Sequence, residues 1–391
     1  MADHFLEALR ERVLVFDGAF GTWVQDKDLS VDDFGGPVTD ERHPPASPSA
    51  SVVRGPLVYS RRALENQSYY ADKLPSLARL FGTDDIDLEP GTLRVGPAFY
   101  PIVDDVIVTL PEDRRPARLA ATRRSVDGFA YDIQESFGRE WREFDRVLTD
   151  DRSEFEQYFD LVDRSSLTDA VICDLGCGMG RWSAFLADSC RELVLVDFSE
   201  AIFLARRNFR DAPSTIFVMG DVTNLPFADD CCDFAMCLGV LHTLPTDPLD
   251  AIRSMRRLAP RLLIYLYYAL DNRPAHYRAL LRIVDAVRER TARLRDERVR
   301  RAISYVIAYG VYLPLIGIGR VARFFGLSRF IPLADDNAGR SMEGIRQRVY
   351  DRFFTSNEQR FTRAEIRSLE RSFSRVRFSD GPPYWHFECT R

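Results

Sequence analysis

Short apolar runs alternate with helix-length segments between Ala170 and Tyr268. The runs AVICDL, ELVLVD, TIFVMGD, CDFAMCLGVL and RLLIYLYY predict strands, and GRWSAFLAD, SEAIFLARRNF and DPLDAIRSMRRL predict helices. Continuous apolar strands separated by helices are typical of a parallel sheet that is covered on both faces. This stretch therefore predicts a doubly wound, Rossmann-like α/β domain.

The pattern after residue 349 completes that sheet. FTRAEIRSLERSF begins with a capping box formed by Thr362 and Glu365, which predicts a helix. RVRFSD and YWHFECT are joined by the turn GPP and predict an antiparallel hairpin at the edge of the sheet. The intervening residues 271–349 are mainly helical in pattern, so we expect an inserted helical lid.

The chain before residue 128 divides by composition. Residues 37–50, PVTDERHPPASPSA, are rich in Pro and Ser and predict a linker after an opening fragment, residues 1–36. Residues 51–112 carry the β-like runs LVYS and FYPIVDDVIVTLPE around a helix-like centre. We therefore expect a small β-rich module ahead of a main domain that spans 128–391.

Composition sets the class of protein. The 391 residues are 46% hydrophobic and 29% charged, as in soluble globular proteins, and the net charge of −6 gives no footprint for nucleic acid. The seven cysteines form no CxxC pair and no spacing typical of zinc ligands, so we expect no metal. Their odd number and the absence of a signal peptide predict a cytoplasmic protein.

A glycine loop follows the first strand of the predicted sheet. In CDLGCGMG the glycines stand at 176, 178 and 180, whereas the dinucleotide fingerprint is GxGxxG. Asp197 ends the next strand, where a carboxylate can accept hydrogen bonds from ribose hydroxyls, and Asp221 ends the third. The spacing favours a nucleoside ligand that has no pyrophosphate.

These segments resemble the class I S-adenosylmethionine-dependent methyltransferases. The resemblance covers VICDLGCGMGRW, LVLVDFS, MGDVTNLPFADDCCDFAMCLGVLHTL and DPLDAIRSMRRL, and resumes near residue 350. It implies S-adenosyl-L-methionine as the cofactor and the following residues as its site: Asp174, Gly176, Cys177, Gly178, Asp197, Phe198, Asp221, Val222, Cys237 and Leu238. SFGREWREF resembles a lead-in segment of one branch of the family, which implies Phe137, Glu140 and Trp141 as lid residues.

The resemblance also implies methyl transfer, for which the cofactor supplies the reactive carbon and the protein supplies alignment. A general base is needed only when the acceptor must lose a proton. His242, just past the fourth strand, is the candidate for that role, and a structural role is the alternative. Other side chains that could face the acceptor are Tyr131, Tyr268, Tyr350, Tyr384 and His386.

The helical insertion has an unusual charge pattern. Residues 278–301 contain nine Arg against four acidic residues, and Ala302–Gly319 is an uncharged apolar stretch of eighteen residues. Its glycines and Pro314 weaken a membrane span, so we interpret it as a buried or interfacial lid. The alternative is a peripheral contact of residues 278–320 with an anionic membrane, which would favour a lipid-linked or strongly apolar acceptor.

Two further resemblances lie in front of the main domain. Residues 52–111 resemble a zinc-ribbon-like domain often found with methyltransferases, but they contain no cysteine. LRERVLVFDGAFGTWVQ resembles the start of the homocysteine methyltransferase domain of methionine synthase. The first resemblance implies packing or partner docking without metal, and the second covers too little of its domain to support homocysteine methylation by itself.

The sequence therefore predicts a methyltransferase that acts on a small-molecule, sugar-containing or lipid-linked acceptor, with methylation on oxygen. Two other functions stay open. One is a binding or scaffold protein that keeps the fold without catalysis, and the other is methyl chemistry related to homocysteine or cobalamin. The oligomeric state is left undetermined.

Overall fold

A computed structural model describes residues 69–116, 119, 131–143, 149–294, 296–327, 330–333, 337, 339–355 and 357–391. The predicted opening fragment 1–36 and linker 37–50 lie outside these residues, as does the beginning of the β-rich module. The predicted domain boundaries therefore stay predictions.

The strands are β1 (Ile86–Glu89), β2 (Thr92–Val95), β3 (Ala98–Val103), β4 (Val106–Val108), β5 (Val171–Leu175), β6 (Glu192–Asp197), β7 (Thr215–Met219), β8 (Phe234–Leu238), β9 (Arg261–Tyr265), β10 (Arg375–Phe378) and β11 (His386–Thr390). The α-helices are α1 (Leu74–Phe81), α2 (Tyr131–Glu143), α3 (Thr149–Tyr158), α4 (Ala201–Asn208), α5 (Pro248–Met255), α6 (Ala275–Thr291), α7 (Glu297–Ile307), α8 (Leu313–Phe324), α9 (Met342–Phe354) and α10 (Arg363–Ile366).

All described strands join one sheet in the order β1-β2-β3-β4-β7-β6-β5-β8-β9-β11-β10. The strands from β4 to β9 in that order run parallel, and β11 lies antiparallel between β9 and β10. The predicted fold class, a doubly wound methyltransferase-like sheet with a C-terminal antiparallel hairpin, is confirmed.

The β-rich stretch before the main domain extends this sheet. Strands β1 to β4 pair in antiparallel succession, and β4 then pairs in parallel with β7 through Ile107 opposite Val218. Tyr70, before α1, donates a 2.6 Å hydrogen bond from its hydroxyl to the Asp105 carbonyl. Strand β7 is therefore not an edge strand, because the sheet continues through β4 to β1 on this side.

The order of the central strands fixes the position of the site. The chain moves outward from β5 through β6 to β7, then returns to the other side of β5 to form β8 and β9. In open α/β sheets, ligands bind outside the carboxyl ends of the strands at such a reversal of direction. The apolar residues of these strands are buried on both faces, which holds their carboxyl ends in register.

Two predicted helices differ from the structure. GRWSAFLAD forms turns around a short 3-10 segment, Ser183–Phe185, because the Ser183 hydroxyl is held by the buried carboxylate of Asp174 at 2.7 Å. The helix after Thr362 has the predicted capping box, but it changes to 3-10 geometry after Ile366. Tertiary contacts override the helical pattern in the first case.

The predicted insertion is helical, as expected from its pattern. Helix α7 continues through a π-helical segment, Ala308–Tyr312, into α8. One face, with Ala308, Tyr312 and Ile316, packs on Val349 and Phe353 of α9. Within the described part of the chain, one helical stretch, Arg298–Phe324, is long and apolar enough by length and composition to cross a membrane.

Candidate functional site

The glycine loop after β5 is held against β6. The amides of Gly176 and Cys177 both donate to the Val196 carbonyl, at 2.7 and 2.9 Å. Gly178 has a φ of +55°, and a Cβ there would lie 2.6 Å from the indole of Trp141. Only glycine allows both this left-handed turn and the close approach of the ring.

Asp197 joins the loop to the end of β6. Its Oδ2 accepts from the Gly178 amide at 2.8 Å, and its Oδ1 accepts from the amide and hydroxyl of Ser199 at 2.8 and 2.7 Å. Burial raises the pKa of Asp197, whereas these hydrogen bonds oppose the rise. The carboxyl group is thereby fixed in orientation where it lines the cleft.

Asp174 has a different environment one strand away. It is buried and accepts from the Ser183 hydroxyl. Burial raises its pKa to about 7, the Ser183 hydrogen bond opposes this, and the charge of Asp197 adds to the rise. Asp174 is therefore a support for the loop from behind, rather than a side chain that lines the cleft.

Asp221 follows β7 and lies at the same edge of the sheet as Asp197. Its Oδ1 accepts from the amide and hydroxyl of Thr223 at 2.9 and 2.7 Å, while its Oδ2 is 3.8 Å from Arg114. Val222, next to it, is buried and lines the same cleft. The two predicted acids of adjacent strands are therefore brought together.

Helix α2 closes the cleft from above. Gln134 donates from its side-chain amide to the carbonyls of Phe198 and Arg114, at 2.6 and 3.1 Å. Phe137 and Trp141, both predicted as lid residues, line the cleft on this side. Glu140, the third predicted lid residue, instead lines a neighbouring chamber.

We call this space the cofactor cleft. It contains about 640 Å³ of empty volume including its open mouth. Its lining residues are Ile133, Phe137, Trp141, Gly176, Asp197, Phe198, Asp221, Val222, Leu238, Gly239, Val240, Thr243 and Leu244.

A polar chamber adjoins the cofactor cleft and shares Phe137, Trp141, Leu238 and Gly239 with it. Its empty volume is about 1000 Å³ with the mouth included. Its charged and hydroxyl-bearing lining comes from distant segments: Glu140, Glu154, Tyr158, Arg181, Tyr265, Tyr267, Tyr312, Arg348, Asp351 and Arg352.

Glu154 organises the arginines on one wall of this chamber. It pairs with Arg181 at 3.3 Å, with Arg340 at 2.9 Å and with Arg348. Burial alone would raise the pKa of Glu154, but the three guanidinium groups outweigh it and lower the pKa to about 2. This carboxylate is therefore ionised and ties α3 to α9.

The pKa values of two other carboxyl groups of the chamber are raised rather than lowered. Burial raises the pKa of Glu140 well above its ordinary value, and the nearby charge of Asp351 adds to the rise. Burial also raises the pKa of Asp351, although the hydroxyl of Tyr267 donates to its Oδ2 and opposes the rise. The chamber thus combines fixed cations with carboxyl groups that hold protons easily.

His242, the predicted general base, is separated from the polar chamber by Tyr267. Its ring stacks on Tyr267, and it is Tyr267 that lines the polar chamber. His242 is buried, its Nδ1 has no hydrogen-bond partner among the described residues, and burial lowers its pKa to about 3. The role of His242 as a base stays a prediction.

The predicted cofactor residues fall into two groups. Gly176, Asp197, Phe198, Asp221, Val222 and Leu238 line the cofactor cleft. Asp174, Cys177 and Cys237 are buried behind it, and Gly178 reaches it through its amide bond to Asp197. The sequence pattern did not separate the residues that line the cleft from those that support it, and their role in cofactor binding stays a prediction.

The other predicted acceptor-facing residues are dispersed. Tyr268 lines an apolar chamber beside the polar one. Tyr131 donates to the Asp113 carbonyl at 2.6 Å, and Tyr350 is buried in the cluster of the insertion. Tyr384 packs beside Trp385, and His386 is hydrogen-bonded to Asp160 and to the Pro383 carbonyl.

Sequence reasoning missed the arginines and Asp351 of the polar chamber. Arg348, Asp351 and Arg352 occur within the charged helical sequence RQRVYDRFF, a pattern that usually indicates a solvent-exposed face. The visible signal was the i, i+3, i+4 spacing of these three on α9, which places them on one side of the helix. Among the described residues, no group of three His, Cys, Asp or Glu side chains is placed to hold a metal ion.

The chain matches one family model, described as a methyltransferase domain, over residues 173–261. That stretch contains β5 to the start of β9 and most of the cofactor cleft. The match supports the predicted methyltransferase domain and agrees with S-adenosylmethionine as its cofactor. A comparison with curated protein sequences finds no match to this chain.

Solved structures resemble about a third of the chain. Phosphoethanolamine N-methyltransferase 1 of Haemonchus contortus is 17% identical over 34% of this chain and 32% of its own, with a TM-score of 0.29. Magnesium protoporphyrin IX methyltransferase of Synechocystis is 22% identical over 38% and 80%, with a TM-score of 0.31. A methyltransferase of Mesorhizobium loti is 21% identical over 30% and 54%, with a TM-score of 0.27.

Proposed function

We propose that this protein transfers a methyl group from S-adenosylmethionine to an oxygen of a small-molecule, sugar-containing or lipid-linked acceptor. The observation that carries the proposal is the junction of two spaces. The cofactor cleft and the polar chamber meet at Trp141, Leu238 and Gly239, so a ligand in one can reach a ligand in the other.

The residues of the cleft fit the cofactor. Asp197 and Asp221 offer carboxylates at the carboxyl ends of adjacent strands, and Phe198, Val222 and Leu244 provide apolar walls for a flat base. The carboxylates would hold ribose hydroxyls and an amino group, and the glycine loop would face the methionine part. When bound, S-adenosylmethionine supplies the activated methyl carbon.

The protein's own contribution is alignment and exclusion of water. Trp141, pressed against Gly178, covers the passage between cleft and chamber. Holding two reactants in a productive arrangement can lower a barrier by about 7–11 kcal/mol. Tyr265, Tyr267 and Tyr312 surround the acceptor space with rings that exclude water and present hydroxyls.

An acceptor hydroxyl must lose its proton during transfer. Asp351 is a second candidate for the base beside His242, because Tyr267 lies between the chamber and Asp351 and donates its hydroxyl proton to that carboxylate. The acceptor proton would pass to the Tyr267 oxygen as the Tyr267 proton passes to Asp351. A raised carboxyl pKa favours such proton uptake.

We also propose that the protein works in the cytoplasm and contacts a membrane surface through residues 278–320. Helix α7, the π-helical segment and α8 together form what we call the long helix. Its outward face is apolar, with Val306 70%, Val321 65% and Phe324 94% exposed. Exposed arginines at both ends of the same stretch, Arg298 and Arg320, match an anionic lipid surface. The buried inner face supports a helix that lies on the membrane rather than across it.

The experiment that tests methyl transfer is binding of S-adenosylhomocysteine by calorimetry, followed by a labelled-methyl screen over lipid, sugar and phenolic acceptors. We expect binding that Asp197→Ala weakens at least tenfold, whereas Asp211→Ala, on an exposed loop, leaves it unchanged. No binding by the wild-type protein at high ligand concentration would overturn the proposal. Pelleting with anionic vesicles tests the membrane contact, and Val306→Asp with Val321→Asp should abolish it.

A further inference from the structure

Beyond the polar chamber, on the side away from the cofactor cleft, lies an apolar chamber within the helical insertion. Its empty volume is about 1270 Å³ including the mouth. Leu281, Val284 and Val287 of α6 form one wall, and Ile307, Val311 and Leu315 of the long helix form the other. Among all its lining residues, Arg352 and Arg360 are the charged ones.

A space lined mainly by aliphatic side chains and tyrosine rings is suited to an apolar ligand. Voids lined by Leu, Ile and Val lose packing contacts without gaining hydrated surface, so they take up hydrocarbon rather than water. One cluster of the insertion packs tightly, with Tyr312, Val349 and Phe354 fully or almost fully buried. The space between α6 and the long helix lies beside this cluster and shares Tyr312 with it.

The two chambers are continuous. Tyr265, Tyr267, Tyr312, Leu333 and Arg352 line both of them. The order along the molecule is thus cofactor cleft, polar chamber and apolar chamber. An acceptor that fills the last two would place its polar end beside the methyl donor and its apolar end between the insertion helices.

Arg352 stands at the junction of the two chambers, where the negative charge of Glu358 acts on it without a direct ion pair. Its guanidinium makes no hydrogen bond and no ion pair within 4.0 Å to any residue that the structure describes. By contrast, Arg348 on the preceding turn pairs with Glu154. A cation at an apolar entrance favours an anionic group on the ligand, because the alternative is an unpaired charge away from bulk water.

Asn337 offers the ligand a hydrogen-bond acceptor, in contrast to the cation of Arg352. It is 2% exposed and lines the polar chamber. Its side-chain amide donates to the Leu333 carbonyl at 2.8 Å, and its buried Oδ1 has no hydrogen-bond partner among the residues that the structure describes. A buried acceptor of this kind is satisfied by a ligand group that donates, such as a hydroxyl.

We propose that the acceptor is an anionic lipid with a hydroxyl-bearing head: its hydrocarbon chain occupies the apolar chamber, its phosphate or carboxylate pairs with Arg352, and a head hydroxyl donates to Asn337. This inference rests on the proposed methyl transfer and names the class of acceptor for it. The proposed membrane contact of the insertion would bring such a lipid close to the apolar chamber.

The test is calorimetric binding of lysophosphatidylinositol, a single-chain anionic lipid with a hydroxylated head, below its micellar concentration. Inositol phosphate serves as the head alone, and lysophosphatidylcholine as a lipid of the same chain with neither net charge nor head hydroxyls. We expect lysophosphatidylinositol to bind at least tenfold more tightly than either. Equal affinity for the inositol phosphate would overturn the role of the apolar chamber, and equal affinity for lysophosphatidylcholine, which keeps the phosphate but lacks the head hydroxyls, would overturn the role of Asn337.

Three variants locate the lipid. Val284→Trp fills the apolar chamber, Arg352→Gln removes the unpaired charge, and Asn337→Leu removes the unpartnered acceptor. Each variant should weaken the binding of lysophosphatidylinositol at least tenfold, whereas its affinity for S-adenosylhomocysteine should stay within twofold of the wild-type value. The matched control is Val299→Trp, which adds the same bulk at an exposed position outside both chambers.

The outcomes separate the two proposals. If S-adenosylhomocysteine binds but the variants bind the lipid like the wild-type protein, the lipid site is wrong and methyl transfer stands. If the lipid binds as expected and S-adenosylhomocysteine does not, the site stands and methyl transfer is wrong. A circular dichroism spectrum that matches the wild type excludes misfolding of Val284→Trp, and the smaller Val284→Phe replaces it otherwise.

Discussion

The imidazole of His242 lies face to face with the ring of Tyr267, with centroids 3.7 Å apart and planes inclined by 17°. The stacking puts the predicted base behind the tyrosine that lines the polar chamber. Because burial lowers the pKa of His242 to about 3, the ring is neutral throughout the physiological range. Its contribution to stability therefore depends on pH in a defined direction.

We expect the folded protein to lose stability as the pH falls below about 6.5, the ordinary histidine value, because the unfolded chain then binds a proton that the folded chain refuses until about pH 3. Between pH 7.5 and 5 this amounts to about 2 kcal/mol. Urea unfolding at both values measures it. In His242→Phe the pH dependence should shrink by that amount, and an unchanged dependence would contradict the buried neutral ring.

The choice between the two candidate bases can be made by kinetics. We expect Asp351→Asn to lower kcat by about 10²–10⁴, the usual range for loss of a general base. His242→Phe, which keeps a ring against Tyr267, should lower kcat much less. Both variants should bind S-adenosylhomocysteine like the wild-type protein.

The pH profile of kcat provides the discriminating readout. If Asp351 is the base, the acidic limb of the profile disappears in Asp351→Asn and persists in His242→Phe. The reverse result would restore His242 as the base, in agreement with the sequence prediction.

Glu154 is expected to be a major stabilising contact between α3 and α9. Glu154→Gln leaves Arg181, Arg340 and Arg348 without their shared carboxylate, and breaking a buried ion pair costs about 3–5 kcal/mol. Urea unfolding at pH 7 measures the loss. The control, Glu156→Gln, breaks an exposed pair with Arg164 and should change stability by about 0.5 kcal/mol or less.

The same carboxylate predicts acid sensitivity. Because its folded pKa is lowered to about 2, its stabilisation is present above the unfolded value near 4.3 and is lost as the pH falls towards 2. Wild-type protein should lose more stability across that range than Glu154→Gln. If the stability of the two proteins fell in parallel as the pH is lowered, the ion pairs between Glu154 and the arginines would not stabilise the fold.

Trp141 should report cofactor binding directly, since it lines the cofactor cleft and rests on Gly178. We expect S-adenosylhomocysteine to change the tryptophan fluorescence of the wild-type protein. The change should vanish in Trp141→Phe and remain in Trp385→Phe, whose indole donates to Asp271 outside the cleft. Trp141→Ala should also weaken binding by roughly tenfold through lost aromatic contact. Retained fluorescence change in Trp141→Phe would place the cofactor elsewhere.

The sequence by itself determined the sheet and the position of its ligand edge. Strands such as Val171–Leu175 and Glu192–Asp197 are continuous apolar runs, and no other regular structure buries them on both faces between short helices. The strand pattern also predicted that the glycine loop, Asp197 and Asp221 lie at the same edge, because the carboxyl ends of parallel strands lie along one edge of the sheet. These are local patterns, so a single chain suffices to detect them.

The tertiary structure alone decided the polar chamber beside the cofactor cleft. Glu154, Arg181 and Arg352 meet around one chamber although nearly two hundred residues separate the first from the last, and no periodicity encodes that meeting. The same limit explains the segment after Gly180, where the hydroxyl of Ser183 bonds to buried Asp174 and a helical pattern yields to a turn. Hydrophobic spacing specifies which face of an element is buried, whereas the partners across that face are set by packing.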